Sequence, residues 1–564
     1  MRFRLELYGW CTVAGLAFLS VGLVPRGGAW AQVGTCDQGQ FATVLNANNV
    51  AATLQATGFI TGSGGASYYE VPAGMGSQSM GGTQLFVGGI VNGEVRFAGN
   101  RSQSSFHSEY WPGPIDDDGL PPQDCSEYDR IWTVTPADVR AYEEGGATTQ
   151  DLADWPTGLG APTVDASGLE VDLALLPLSE RRDRVIDLAT GERPRILGSQ
   201  MSWWVLNDNG NEHRSPASEP LGIEVHVSAF ALGNNTALEN STFFQLRIIN
   251  RSTSTIEQTY IGYHTYARID FWSPLYLAAD TTRDMAIIYS ETNDIGADGP
   301  YWPGPPASGI DFVAGPYLEG GTPFRMTSLV QYFDSPGLPN DSPRTPEDYY
   351  NFMQGTWTDG APIVAGGTGH ESPGDLAYEP TTIMYPGDPV TGAFWSEQNV
   401  DGQGTANNGS ERFFVAAGGP FNLPAGESVD LLIAVLYARG TDNIDSVRKL
   451  RRVHDITARL SVDGFVLSGE QMPIESTFPL EWSHVFPSPG TLGQKLEYSL
   501  SAESHISIEV YNTLGQRIAT PTKSIMPAGL HSLSLDSETW AAGVYFVTIR
   551  LGGRGAQTQK FVIR

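Results

Sequence analysis

Glycine and proline interrupt this chain almost everywhere, and that confines it to short elements. Its 564 residues include 65 Gly and 37 Pro, spread along the length. Proline removes a backbone donor and glycine weakens helices, so long helices survive such spacing poorly, whereas short strands joined by turns tolerate it. The apolar runs agree. Thr83–Ala98 holds two of them around Asn92-Gly93, a hairpin signature. Ile223, Val225, Val227 and Ala229 alternate within Leu221–Leu232, which predicts a half-buried strand. Thr242–Asn250 and Thr259–Ala267 read as strands, and Met285–Tyr289 and Leu431–Tyr437 as continuous apolar strands of the buried kind. One amphipathic helix is predicted near 442–460, where Ile444, Val447, Leu450, Val453, Ile456 and Leu460 recur at steps of three or four and Asp442 or Asn443 can cap the start. Residues 334–380, rich in Pro, Gly, Asp and Ser, read as a long surface excursion. The fold class is therefore mainly β: a multi-domain, β-sandwich-like body with one helix.

Charge narrows the partners. The formal net charge is −30. Residues 1–31 and 485–564 each carry a net +2, so the region between them carries −34. A surface this acidic repels phosphate backbones and anionic lipid, which argues against nucleic acid as a partner. Arg2 and Arg4 precede an apolar stretch, Cys11–Val24, and Ala29-Trp30-Ala31 fits a small-x-small cleavage pattern. Residues 1–31 thus read as a signal peptide cut between Ala31 and Gln32, since the apolar run is too short for a comfortable membrane span. No other segment is long and apolar enough to span, so no transmembrane segment is expected in the mature chain. Cys36 and Cys125 remain after cleavage, and in an exported chain they suit either one disulfide or two buried thiols. An acidic β-rich extracellular body, residues 32–484 with room for two subdomains, follows.

The texture changes from Phe486. Short alternating runs recur at Lys495–Ser501, His505–Tyr511, Gln516–Ala519, Leu530–Asp536, Val544–Leu551 and Thr558–Ile563, with Asn512, Gly515, Gly529 and Gly543 in the turns. The pattern predicts a small C-terminal antiparallel β-sandwich, residues 485–564. Four motifs stand in order within it: Phe486-Pro487-Ser488-Pro489; Tyr511-Asn512-Thr513-Leu514-Gly515-Gln516; Gly543-Val544-Tyr545; and the ending that starts at Lys560. These residues resemble the type A C-terminal sorting domain of the type IX secretion system, with Phe for the usual Tyr and Ser for Asn in the first motif. The resemblance implies Sec export, passage across the outer membrane by the type IX machinery, and a place at the cell surface or outside the cell. Domain removal, with attachment to surface lipopolysaccharide or release, is also implied. Much of residues 66–460 further resembles a recurrent group of large secreted proteins that carry this domain, through Tyr69-Glu70-Val71-Pro72, Cys125–Trp132, Trp203-Trp204 and Asn250-Arg251-Ser252. That likeness implies one continuous architecture and supplies no catalytic residue.

Familiar catalytic signatures are missing: no Gly-x-Ser-x-Gly, no His-Glu-x-x-His, no phosphate loop and no dinucleotide fingerprint occur. His226, on the alternating strand, reads as a rim or core residue. Asp116-Asp117-Asp118-Gly119 offers clustered hard oxygens that suit calcium, although the same residues also favour a plain turn. Asn207-Asp208-Asn209-Gly210 and Asp294–Asp298 offer less of the same. Tyr-Trp-Pro-Gly-Pro occurs at 110–114 and 301–305, each a forced turn. Trp203, Trp204, Trp272, Trp302, Trp357 and Trp395 stand in polar or Pro/Gly-rich surroundings, where exposed rings could stack on a polysaccharide. The basic residues of the predicted helix read as a face toward the acidic body. Together these features favour a non-enzymatic secreted or surface protein with a binding, adhesive or structural role. The alternative is a secreted polysaccharide hydrolase acting through Asp/Glu pairs.

Overall fold

Antiparallel pairing of the body's strands produces two large sheets that face each other. In the computed structural model the described residues are 34–62, 69–99, 108–233, 237–270, 274–293, 300–301, 303–316, 318, 321–333, 337–370, 379–462, 480–486, 494–500, 504–512, 516–527, 529–535, 540–551 and 555–563. Among them, a nine-stranded sheet runs in the order Leu275–Asp280, Met285–Ser290, Pro306–Ala314, Ser428–Arg439, Thr242–Asn250, Ile223–Ala231, Gln200–Asn207 and Trp111–Pro112, with Trp132–Val134 also pairing Gln200–Asn207. A six-stranded sheet runs Ser328–Tyr332, Arg412–Leu423, Ile256–Ala267, Thr83–Val91 and Phe59–Thr61, with Glu94–Ala98 on Thr83–Val91. Strands from residue 59 to residue 439 interleave in these two sheets, so the early and late parts of the body share one sandwich.

The alternation of side chains explains why the longer sheet is apolar on both faces. Val225, Val227, Phe244, Leu246, Ile288, Ile433 and Val435 point between the sheets and meet Leu85, Val87, Ile261, Tyr263 and Ala416. The residues between them, Phe230, Phe243, Ile287, Leu432, Ala434 and Leu436, point outward into a second core. That core is closed by the helix Asn443–Val462, through Val447 and Leu450, and by a long excursion carrying Leu152, Trp155, Leu159 and Leu178. Burial on both faces is what continuous apolar strands require.

Local chemistry sets the boundaries. Asn92 and Gly93 both have positive φ, 54° and 82°, as a two-residue hairpin turn demands. The long helix starts at Asn443 because the Asp442 carboxylate accepts from Asp445 N at 2.6 Å. Its Arg451 reaches Asp280 at 2.8 Å and Asp388 at 2.9 Å, so this part of the basic face does meet the acidic body. Two further helices differ from the sequence reading. Pro136–Glu143 and Pro346–Gln354 each follow a Thr that forms a capping box with an Asp three residues on. The second lies inside the expected excursion and buries Tyr349, Tyr350, Phe352 and Met353. Its Thr-Pro-Glu-Asp start was readable. No helix among the described residues is long and apolar enough to cross a membrane.

The C-terminal region is a small sandwich. Leu480–Phe486, Lys495–Leu500 and Gly529–Ser534 make one sheet, and Arg517–Met526, Ser504–Asn512, Gly543–Leu551 and Gly555–Ile563 the other. Leu496, Tyr498 and Leu500 from the first meet Ile506, Ile508, Val510, Val547, Ile549 and Phe561 from the second.

Candidate functional site

The outer face of the nine-stranded sheet turns polar at one place. On Ile223–Ala231 the outward residues are Glu224, His226 and Ser228, and pairing sets His226 beside Arg247 and Arg247 beside Asp430. One step along the strands, Trp203, Ser228 and Gln245 lie in a second row. All nine residues of Ile223–Ala231 are buried, so the predicted half-buried strand is instead covered on both faces. The cover is the segment from Thr157 to Arg195, which the alternation within one strand cannot reveal.

Several bonds hold that cover down. Asp172 accepts from Arg247 at 2.7 Å, Ala174 O from Arg251 at 2.5 Å, and Gly158 O from Arg181 at 2.6 Å. Asp117 accepts from Leu178 N at 2.5 Å and also from Ser179 N and the Ser179 hydroxyl. Gly160, at φ 97°, passes so close to His226 that a Cβ there would lie 2.4 Å from its Cε1. Only glycine fits both the conformation and the approach.

Beneath this cover a small pocket of about 40 Å³ remains. Its floor is Trp203, His226 and Ser228, its walls Gln245 and Arg247, and its rim includes Asp172 and Asp430. Glu224 lies under it, with no exposed side-chain surface, and accepts from His226 Nε2, Arg251 and Ile115 N, each at 2.8 Å. Burial alone would raise the Glu224 pKa, but the hydrogen bond from His226 and the charge and bond of Arg251 outweigh it and hold the carboxyl at about 2. Burial, the larger influence, lowers the His226 pKa against the pull of Glu224. The ring is therefore neutral with its proton on Nε2, and the buried Nδ1 is an acceptor with no protein partner. Burial also works to raise Asp172, yet Arg247 and the Ala174 amide bring it below the usual range. Asp430 likewise receives Arg247, at 3.0 Å. Chemically, this is a hydrogen-bonding pocket whose acidic groups are engaged by arginines.

Of the residues marked in the sequence, Trp203 and His226 line the pocket, and the others that the structure describes lie elsewhere. Asp116 closes its own turn by accepting from Asp118 N and Leu120 N, Asp117 tethers the cover, and Asp118 is exposed. Asp208 is a buried strut that accepts from Leu221 N, Gly222 N and Ile223 N. Among the described residues no three His, Cys, Asp or Glu side chains are grouped to hold a metal. Cys36 and Cys125 are joined as a disulfide, with Cα atoms 5.4 Å apart, and pack against Trp111. Trp203, Trp204, Trp357 and Trp395 are all buried and so offer no exposed stacking face. Trp272, Trp302 and Asp294–Asp298 lie outside the described residues, as do Ala31, Gln32, Pro487, Pro489, Leu514 and Gly515.

In the C-terminal sandwich the remaining motif residues have structural work. Asn512 and Gln516 bond each other through side chain and backbone, closing the hairpin loop. Tyr511 donates to Glu509 at 2.7 Å, and Tyr545 donates to Ala541 O at 2.8 Å. Phe486 ends the first strand, Gly543 begins another, and Lys560 is exposed on the last strand opposite Phe546.

A second buried charge lies under the long helix. Asp311 is fully buried and accepts from His454 Nδ1 at 2.7 Å. Burial raises its pKa to about 6, the His454 bond offsetting only part of that. The native state thus keeps a proton that the unfolded chain releases near pH 4, and stability should fall as pH rises from about 4 to 6, by about 3 kcal/mol in total. Asp311→Asn should flatten this part of the stability–pH curve and be at least as stable as the parent at pH 7. Urea melts at pH 4 and pH 7 check it; an undiminished slope in the variant would assign the effect to other groups.

The family comparison agrees with the C-terminal motifs. A family model described as a secretion system C-terminal sorting domain matches residues 484–564. No curated protein matches the sequence. Among solved structures, a polysaccharide lyase is 8% identical, covers 60% of this chain and 34% of its own, and has a TM-score of 0.20. The adhesin domain of Epf from Streptococcus pyogenes is 10% identical over 60% of this chain and 79% of its own, with a TM-score of 0.12. PorZ, a surface component of the type IX secretion system of Porphyromonas gingivalis, is 11% identical over 56% and 43%, again at 0.12. The chain spans about a third of the first of these. Scores this low carry no argument about fold or function.

Proposed function

We propose that the body of this protein, a type IX secretion substrate placed at the cell surface or outside the cell by its C-terminal sorting domain, acts there by binding and adhesion rather than by turnover. The observation that carries this reading is the state of the outer-face pocket. Glycoside hydrolysis through paired carboxyls needs one of them protonated. Here Glu224 is held at about 2 and Asp172 below its usual range, each with an arginine bonded to it. A pocket so arranged can grip a polar group, and neither Glu224 nor Asp172 is ready to protonate a leaving oxygen. A polysaccharide of low charge is the partner class that fits an exported acidic protein with a polar pocket.

The test uses the secreted protein against a broad panel of polysaccharides, with retention and released reducing ends measured together. Retention without release is the expected result. Release of reducing ends would replace the binding reading with the hydrolase alternative, and neither retention nor release would leave a structural role.

A further inference from the structure

The geometry points to a neutral saccharide as the pocket's ligand, with two neighbouring hydroxyls of one sugar ring entering between Gln245 and the cover segment to reach His226. This rests on the binding reading above and names its chemistry. Three observations converge. First, His226 Nδ1 is buried and lacks a protein partner. A buried acceptor left unmatched is costly, so a hydroxyl that displaces Gly160 from against the ring gains a bond the folded protein lacks. Nε2 is fixed on Glu224 at 2.8 Å, so the ring cannot turn away to find another bond. Second, the pocket's volume of about 40 Å³ suits about two or three water-sized atoms. That is room for a pair of hydroxyl oxygens and too little for a bulky side chain or an aromatic ring. Third, its lining mixes donors and acceptors. Arg247, Gln245 and Ser228 can donate, and His226, Asp172 and Asp430 can accept. A hydroxyl both gives and takes a hydrogen bond, so a diol can use both kinds at once.

Charge selects among saccharides. The lining holds Glu170, Asp172 and Asp430 against Arg195 and Arg247, an excess of one negative charge with His226 neutral. The body around it is strongly acidic. Uronic and sulfated sugars would therefore be repelled.

The experiment titrates the full secreted chain with the methyl glycosides of glucose, galactose and mannose, with glucuronate as the charged control, by ligand-observed NMR and calorimetry. Saturable binding of at least one neutral glycoside is expected, weakened about tenfold or more by Gln245→Ala and by Ser228→Val, which line the pocket without sharing in the Glu224 network. His226→Gln serves as a third variant, with melting curves to confirm folding. Binding unchanged by all three would move the ligand elsewhere and overturn the assignment. So would glucuronate binding as well as or better than every neutral glycoside, or no neutral glycoside binding at all. Polysaccharide retention that persists in all three variants would sink this site while leaving the binding reading intact, whereas released reducing ends would sink that reading itself.

Discussion

Replacing Glu224 by Ala should destabilise the protein by about 3–5 kcal/mol at neutral pH, the cost of removing one partner from a buried charge cluster. Three groups lose their acceptor at once: His226 Nε2, Arg251 and the Ile115 amide. Arg181, 3.9 Å from the same carboxylate and almost without exposed surface, loses its nearest counter-charge. The sign of the pH dependence follows from a folded pKa of about 2 against an ordinary 4.5. Such a depressed carboxyl contributes stability that is complete above pH 4.5 and lost as pH falls from there to about 2, about 3 kcal/mol in all. The parent should therefore lose stability through that window and Glu224→Ala should lose less. Glu224→Gln keeps one oxygen, enough for Ile115 or for the His226–Arg251 side but not both, while removing the charge, so it should fall between parent and Ala. Denaturant melts at pH 7 and pH 3 measure all three proteins. A cost below about 1 kcal/mol for Ala at pH 7 would mean that water replaces the carboxylate and that the cluster is not closed.

What the sequence disclosed and what it hid both follow from the range of the interactions. Asn92-Gly93 and the alternation in 495–563 are local signals, and the hairpin and the C-terminal sandwich follow them closely. The apolar runs at 285–290 and 431–437 are continuous because both faces of their sheet are covered. The same cover misled the reading of 221–232. Glu224 and Ser228 fall on the face a half-buried strand would leave open, and nothing local announces that residues 157–195 fold over it; His226, read as a rim or core residue, is buried there. Arg247 and Gln245 join the site only through cross-strand register, and Asp172 only through the cover, so no spacing in the chain connects them. The tryptophans failed as site markers for a related reason: polar neighbours in sequence do not prevent burial in a two-layer body, and Trp203 and Trp204 sit on opposite faces of one strand, each in its own core. Asp117 was legible as an acidic turn residue, but its bonds to Leu178 and Ser179 span about sixty positions.

Cys36→Ser combined with Cys125→Ser should cost about 4–5 kcal/mol, provided the stabilisation comes from closing the loop in the unfolded chain. The two residues are 89 apart in sequence, and a cross-link over that span removes much of the freedom of the unfolded ensemble. The folded state gives the link a definite task. Gly34 N and Cys36 N bond to Asn209 O and Gly210 O, and Gln40 N and Phe41 N bond to the Asp129 carboxylate, so the start of the described chain is laid against the edge of the long sheet. That edge is the short strand Trp111–Pro112, held to Gln200–Asn207 by two residue pairs. The disulfide packs against Trp111 and so secures both the edge and the segment laid upon it. Denaturant melts of parent and double variant, read by Trp fluorescence and by far-UV circular dichroism, separate two outcomes. A loss of the expected size with coincident probes means that the link stabilises the body as one cooperative unit. A small loss, with fluorescence changing well before circular dichroism, means that the edge opens by itself and that the sandwich behind it stands without the link.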